Sequence, residues 1–144
     1  MLRIFFATVL LFSAVCVEAS NLTTLIPRPE RVEKRDGVFT ILTTTKITHY
    51  PSLRPSAEYL SEFIPLEIRE YNEGDEGNIV LRENKNLASE GYTLDISQKG
   101  VVIEGGSAAG VLYGIETLLQ RLAASVYSHT LALPAMVGAC RVED

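Results

Sequence analysis

Residues 92–122 read YTLDISQKGVVIEGGSAAGVLYGIETLLQRL, and this stretch decides the fold. Residues 92–97 alternate between apolar and polar side chains, which is the pattern of a strand with one buried face. Gln-Lys-Gly at residues 98–100 supplies a turn, and residues 101–104 are again mostly β-branched. Two such strands joined by a short turn predict a β-hairpin.

The rest of this stretch predicts a helix over residues 107–124. Gly105-Gly106 ends the second strand, and Ser107 has a side chain that favours the N-cap position. Seven apolar residues then recur at spacings of three and four, namely Ala108, Val111, Leu112, Ile115, Leu118, Leu119 and Leu122. This periodicity is typical of an amphipathic helix, and we expect this helix to be the main core element.

Upstream of the hairpin, the chain predicts short strands and a second helix. That helix covers residues 56–64, where Ala57, Leu60 and Ile64 share one face and Pro65 ends the helix. Strands are predicted at residues 38–42, 46–49, 78–83 and 137–142, and residues 66–71 are ambiguous. Strands interrupted by two helices indicate an α+β fold, a small mixed or antiparallel sheet with both helices on one face.

The first 19 residues have the layout of a secretory signal peptide. Arg3 precedes an apolar run over residues 4–17, and Val17-Glu18-Ala19 presents short side chains at the positions that signal peptidase recognises. The run is too short for a membrane-spanning helix, which needs about 20 residues. We therefore expect an exported protein, in the periplasm, at the cell surface or secreted, with a mature domain over residues 20–144.

Cysteine use and charge narrow the class of protein further. Cys16 leaves lipidation as an alternative, which Val15 disfavours because a lipoprotein signal has a small residue at that place. After cleavage Cys140 is the single cysteine, so no internal disulfide can form, and its apolar neighbours indicate a core position. A net charge of −5 without a cluster of Lys or Arg argues against a nucleic-acid partner.

No group of residues has the pattern of an active site, so we expect no catalytic, cofactor-binding or metal-binding residue in this chain. Asp75-Glu76 is a carboxylate pair of the kind that glycoside hydrolysis uses, but no apolar residue nearby could desolvate the acid. We interpret the pair as a solvated turn. His49 and His129 have no neighbours at metal-ligand spacing and are interpreted as surface or strand-end residues.

Residues 105–110, GGSAAG, stand between a strand and a helix, where phosphate-binding turns occur. The dinucleotide fingerprint has glycine where Ser107 stands, and it needs an acidic residue about 20 positions further on. No acid lies between Glu116 and Glu143. We therefore interpret these residues as a tight turn followed by an N-cap.

A series of segments resembles one family of enzymes. In order, the segments are LIPRP at 25–29, EGYTLDI at 90–96, VIEG at 102–105, AGVLYGIETLLQ at 109–120, LP at 133–134 and RVED at 141–144. Together they resemble the N-terminal, non-catalytic domain of bacterial-type β-N-acetylhexosaminidases, glycoside hydrolase family 20. The resemblance covers nearly all of the mature chain.

The resemblance implies a zincin-like α+β domain without the zinc motif, followed by a catalytic (β/α)8 barrel. Family enzymes remove terminal, non-reducing N-acetylhexosamines, GlcNAc or GalNAc, with the substrate's acetamido group as nucleophile. Their aspartate–glutamate pair belongs to the barrel, so Asp75-Glu76 takes no catalytic role. We expect a barrel after Asp144, a glycan substrate bound only through it, no cofactor, and no activity of this chain alone.

Gly110 and Gly114 lower helix propensity by about 1 kcal/mol each relative to alanine, which indicates a close backbone approach on their face. That approach is made either within the domain or against another domain. We expect part of this region, including Tyr113, to dock against the barrel together with residues 141–144.

Two alternatives remain open. The chain is either a stand-alone secreted binding or scaffold module, or the leading domain of a family 84 N-acetylglucosaminidase, which carries a similar domain. A glycan-binding module usually offers exposed aromatic rings, and the absence of tryptophan makes that alternative weaker.

We expect signal peptidase to cut between Ala19 and Ser20, because the apolar run and the short side chains before the cut match its recognition pattern. Mass spectrometry of the exported protein should find Ser20 at the N-terminus. A mature protein that still begins at Met1 would contradict export through this signal.

Overall fold

The described residues form a seven-stranded mixed sheet with two α-helices. The computed structural model describes residues 25, 28–75, 78–122 and 130–144. The strands are β1 Arg31–Ile41, β2 Lys46–His49, β3 Glu67–Glu70, β4 Ile79–Glu83, β5 Tyr92–Ser97, β6 Gly100–Gly105 and β7 Ala135–Glu143. The helices are α1 Arg54–Phe63, which a short 3-10 turn precedes, and α2 Ala108–Leu122. The expected α+β class is confirmed.

The strand order is β1-β7-β5-β6-β4-β2-β3. β3, β2, β4 and β6 pair in parallel, whereas β5 runs antiparallel to both β6 and β7. β2 and β6, which begin the crossovers β2–α1–β3 and β6–α2–β7, therefore run in the same direction. The first crossover moves toward the β3 edge of the sheet and the second toward the β1 edge. Both helices lie on one face, where the Tyr59 hydroxyl of α1 donates a hydrogen bond to Glu116 of α2. Two crossovers on one face that step in opposite directions must have opposite hands, an exception to the right-handed rule.

The connection from β3 to β4 crosses the other face of the sheet, which we call the open face. β3 and β4 both run parallel to β2, so this connection must return from one end of the sheet to the other. Asp75 in the connection accepts a hydrogen bond from Arg69 of β3. Thr48 and Val80, on the same side as Arg69, are accordingly buried, at 0% and 5% exposure.

The main core lies between the sheet and the two helices. Alternation places one side of each central strand toward the helices, as the sequence predicted for Tyr92, Leu94 and Ile96. Ala57, Leu60 and Ile64 of the first helix region are fully buried, as predicted. The largest fully buried side chains are Ile41, Ile47, Leu53, Leu60, Ile64, Ile79, Leu81, Leu94, Ile96, Ile103, Ile115 and Leu118.

The buried face of α2 differs from the predicted apolar stripe. Val111, Ile115, Leu118 and Leu119 are fully buried, as expected. Ala108 and Leu112 were expected on the same face and are exposed. The helix is rotated so that its small and polar residues Gly110, Gly114 and Thr117 face the sheet.

The two glycines of α2 bring the helix backbone against the β5–β6 hairpin. A Cβ atom on Gly110 would lie 2.3 Å from the carbonyl oxygen of Gly91, and one on Gly114 would lie 2.5 Å from Ile103 Cγ2. Real Cβ atoms do not approach so closely, so only glycine fits without a shift. The close approach occurs within this domain, which is the first of the two alternatives that the sequence left open.

The sequence predicted the hairpin and β2 well and the edge strands less well. β1 begins at Arg31 rather than at residue 38, and the ambiguous residues 66–71 contain β3. The predicted signal peptide with Cys16, as well as His129 and the last two residues of the helix predicted at 107–124, lie outside the described residues.

Leu119→Ala should lower the free energy of unfolding by about 2–5 kcal/mol, because it empties a fully buried position against the sheet. Leu112→Ala removes the same atoms from the same helix, but this side chain is 37% exposed and should cost less than about 1 kcal/mol. Equilibrium chemical denaturation measures both. Equal losses in the two variants would contradict the assigned orientation of α2.

Candidate functional site

Asp75, the first residue of the Asp75-Glu76 pair, binds groups of β3 and of the β3–β4 connection. Its carboxylate accepts hydrogen bonds from the Arg69 guanidinium and, at 2.7 Å, from the backbone N–H of Asn72. Its side chain is 6% exposed, so the expectation of a solvated turn is wrong for this residue. Glu76, the other member of the pair, lies outside the described residues. The Asp75 carboxylate is thus committed to contacts within its own segment of the chain.

His49 and Cys140 are buried residues of the sheet. His49 ends β2 at 1% exposure, and its Nδ1 lies 2.8 Å from the carbonyl oxygen of Tyr50. Cys140 is fully buried in β7, as expected, and burial raises the pKa of its thiol. In the described part of the chain, no three His, Cys, Asp or Glu side chains come together as a metal site.

The backbone of the glycine-rich turn before α2 packs against residues 88–91. Gly106 donates its N–H to the carbonyl of Gly91 at 3.0 Å, and a Cβ on Gly106 would lie 1.8 Å from the carbonyl oxygen of Ala88. The Ser107 hydroxyl accepts a hydrogen bond from the N–H of Ala109 at 3.2 Å. This geometry supports the interpretation as a tight turn with an N-cap.

A row of ion pairs crosses the open face, and we call it the ion-pair row. At its centre the Asp95 carboxylate accepts hydrogen bonds from Arg35 at 3.1 Å and from Arg141 at 3.0 Å. Arg141 also binds Glu143 at 2.7 Å. The members are Arg31, Glu33, Arg35, Asp95, Arg141 and Glu143 on β1, β5 and β7, and Arg82 with Glu104 on β4 and β6. Sequence reasoning missed this row, because the contacts that link its strands, Arg35 and Arg141 with Asp95, join residues far apart in the chain.

The carboxyl groups with a clear pKa shift in the described residues all shift downward. Burial opposes ionisation of Glu104, but hydrogen bonds from Asn84 and Arg82 outweigh it and lower the pKa. A hydrogen bond from Arg141 lowers the pKa of Glu143. Lysine neighbours do the same for Glu67 and Glu83. A general acid needs the opposite shift, so these groups are suited to ion pairing rather than proton transfer.

The end of β7 and the start of α2 meet at one end of the domain. Asp144 and Tyr92 exchange two backbone hydrogen bonds, at 2.8 and 3.0 Å, and the Tyr92 hydroxyl lies 2.7 Å from Thr117 Oγ1 of α2. Leu112 and Tyr113 in the first half of α2 are 37% and 44% exposed. We call the exposed pair Leu112 and Tyr113 the exit surface, because the same half of α2 packs through Gly110 on Gly91, next to the end of β7.

Residues 141–144 do not lie free for docking. Val142 is fully buried in the core, and Arg141 and Glu143 belong to the ion-pair row. The expectation that this whole segment docks elsewhere is wrong, because β7 is an interior strand of the sheet. Asp144 alone is exposed at its end.

Comparison with known proteins identifies the family. The family model described as "Glycosyl hydrolase family 20, domain 2" matches residues 22–144. The chain belongs to glycosyl hydrolase family 20, as its domain 2. The proposed resemblance is therefore confirmed.

The relatives of this family 20 domain are much longer proteins. The chain is 32% identical over 130 residues to a β-hexosaminidase of Porphyromonas gingivalis, covering 83% of this chain and 17% of that protein. It is 33% identical over 132 residues to a β-N-acetylhexosaminidase of Cellulomonas fimi, covering 83% and 25%. A solved family 20 β-N-acetylhexosaminidase of Streptomyces coelicolor superposes with a TM-score of 0.77 at 30% identity, covering 87% and 27%.

The described helices of this family 20 domain are not suited to cross a bilayer. None of them is long and apolar enough to serve as a membrane span.

Proposed function

We propose that this chain is the leading, non-catalytic domain of an exported β-N-acetylhexosaminidase that removes terminal, non-reducing N-acetylhexosamines from glycans. The match of residues 22–144 to domain 2 of family 20 carries the proposal. The relatives in Porphyromonas gingivalis and Cellulomonas fimi are named β-hexosaminidase and β-N-acetylhexosaminidase. Export rests on the sequence of residues 1–19, which has the layout of a signal peptide.

The proposed lack of activity in the chain alone rests on its carboxylates. Hydrolysis of a glycosidic bond needs an acid that is still protonated near neutral pH. The described carboxyl groups with resolved shifts, Glu67, Glu83, Glu104 and Glu143, move in the other direction, and Asp75 is paired with Arg69. The chemistry is therefore assigned to a further domain.

The exit surface supports a docking role for this domain. In homologues, domain 2 of family 20 is normally followed by a catalytic TIM barrel. A chain that continued from Asp144 would leave beside α2, where Leu112 and Tyr113 are exposed. Exposed apolar groups next to a domain junction are typical of an interdomain contact. The barrel would cover these two side chains and not the buried glycines.

The family 20 match favours this proposal over the leading domain of a family 84 enzyme. A stand-alone secreted module is the remaining alternative, and it differs in a measurable way. If the domain is such an independent module, the solvent exposure of Tyr113 should be the same in the chain alone and in a protein extended downstream.

The purified chain should not cleave chromogenic N-acetylglucosaminides, because none of its described carboxyl groups has a resolved upward pKa shift of the kind that a general acid needs. A protein extended into the natural downstream sequence serves as the positive control and should cleave them. Turnover by the chain alone that disappeared in an Asp75→Asn, Glu76→Gln double variant would overturn the assignment of chemistry to a further domain.

Docking should slow hydrogen exchange at Leu112 and Tyr113 in the extended protein relative to the chain alone. Val142 provides an internal control, because it is already buried in an interior strand and its exchange should not change. Unchanged protection at Tyr113 would contradict docking and favour the independent module.

A further inference from the structure

The open face contains a cavity that no part of the proposed function uses. It has a volume of about 260 Å3 and lies between the β3–β4 connection and the ion-pair row. One wall comes from Tyr71, Gly74 and Asp75 of the connection, and the opposite wall from Asp95 of β5 and Lys99 of the hairpin turn. Asn78 and Arg82 contribute from β4.

The floor of the cavity is apolar. Val80 and Val102 are neighbours on β4 and β6, directly paired in the parallel ladder, and both line the cavity with Val101 and Gly100. Because Val80 is 5% exposed and Val102 is half-buried, a ring laid on them would complete their burial. Burying this surface is favourable for any ligand with an apolar side.

Three of the four charged side chains in the walls, those of Asp75, Asp95 and Arg82, are held in place before any ligand arrives. Asp75 is fixed by Arg69 and by the N–H of Asn72. Asp95 is fixed by Arg35 and Arg141, and Arg82 by Glu104. Side chains ordered in advance lose little conformational entropy on binding, which favours recognition.

Several hydrogen-bond donors remain available in the cavity. The Asn78 side-chain oxygen accepts from the N–H of Lys46 at 3.0 Å, so its amide nitrogen is the end left for a ligand. Among the described residues, the Lys99 ammonium has no ion-pair partner and the Tyr71 hydroxyl has no hydrogen-bond partner. The Tyr71 ring is steadied by Tyr50, with ring centroids 5.6 Å apart.

We propose that this cavity binds one pyranose ring of a glycan. The valine floor would take the C–H side of the ring, and Asn78, Tyr71 and Lys99 would donate to its hydroxyl and acetamido oxygens. The volume is below the roughly 300–1,000 Å3 of pockets for drug-sized ligands, which limits the ligand to about one ring. The choice of an N-acetylhexosamine as ligand rests on the proposed function.

The balance of charge favours a sugar over a small anion. Arg82, Asp75 and Asp95 are each neutralised by a partner, which leaves the exposed Lys99 ammonium as the single uncompensated charge of the wall. A phosphate site would be built from converging cationic donors, usually arginine pairs. An apolar floor with scattered donors is instead complementary to a ring that has one apolar side.

The test is an NMR titration of the full, 15N-labelled chain with N-acetylglucosamine and with its β-1,4-linked disaccharide. Both sugars should shift the amide signals of residues 71–75, 78–82 and 95–102. Sodium phosphate, added separately, should not. Tyr71→Ala and Asn78→Ala should each raise the Kd for the sugar by about tenfold, because each removes a side chain that donates a hydrogen bond to it.

Tyr113→Ala is the matched control, because it removes a tyrosine ring from the exit surface and should leave sugar binding unchanged. Lys99→Ala lies in an exposed turn and provides a third cavity variant if either of the others fails to fold. No shifts at the cavity with either sugar, shifts with phosphate alone, or equal weakening in Tyr113→Ala would overturn the proposal. Hydrolysis by the extended protein is measured separately, so a cavity that binds no sugar leaves the proposed enzyme function untouched.

Discussion

The architecture depends on how closely α2 lies against the β5–β6 hairpin. The helix backbone touches the hairpin at Gly110 and Gly114, where even a methyl group would collide with Gly91 or Ile103. This contact fixes the depth and the rotation of α2, and the rotation decides which side chains enter the core. It also keeps Leu112 and Tyr113 on the outside. The loss of helix propensity at two glycines is therefore offset by packing.

The two faces of the sheet are built from different interactions. The helix face is held by buried aliphatic side chains, which are non-directional and tolerate small shifts. The open face is held by arginine–carboxylate pairs such as Arg141 with Asp95, which need a fixed geometry. These pairs are partly exposed, so they add little to stability but fix side-chain positions. The β3–β4 connection lies on this second face and encloses a cavity beside it.

Local patterns in the sequence were sufficient for the elements with one clear period. The alternation in residues 92–97 and the spacing in α2 both gave the correct element. β3 was not predicted, because Glu67-Ile68-Arg69-Glu70 is a short edge strand with one apolar residue. The rotation of α2 was not predicted, because the periodicity of apolar residues places Leu112 in the core. In the structure the face that carries Gly110 and Gly114 contacts the sheet instead. The ion-pair row and the cavity were not predicted, because they are formed by residues distant in sequence. Arg35 and Asp95, for example, are 60 residues apart and meet only in the folded sheet.

The antiparallel pairing of the first and last strands has a mechanical consequence. Arg31 of β1 lies opposite Glu143 of β7, and the N–H of Glu30 donates to the Asp144 carboxylate at 3.0 Å. The chain thus enters and leaves the sheet side by side, at one end. A force pulling these two points apart would load the hydrogen bonds between β1 and β7 one after another, as in a zipper, and not all together in shear. The strand edge would open at low force while the helix-packed centre stayed intact.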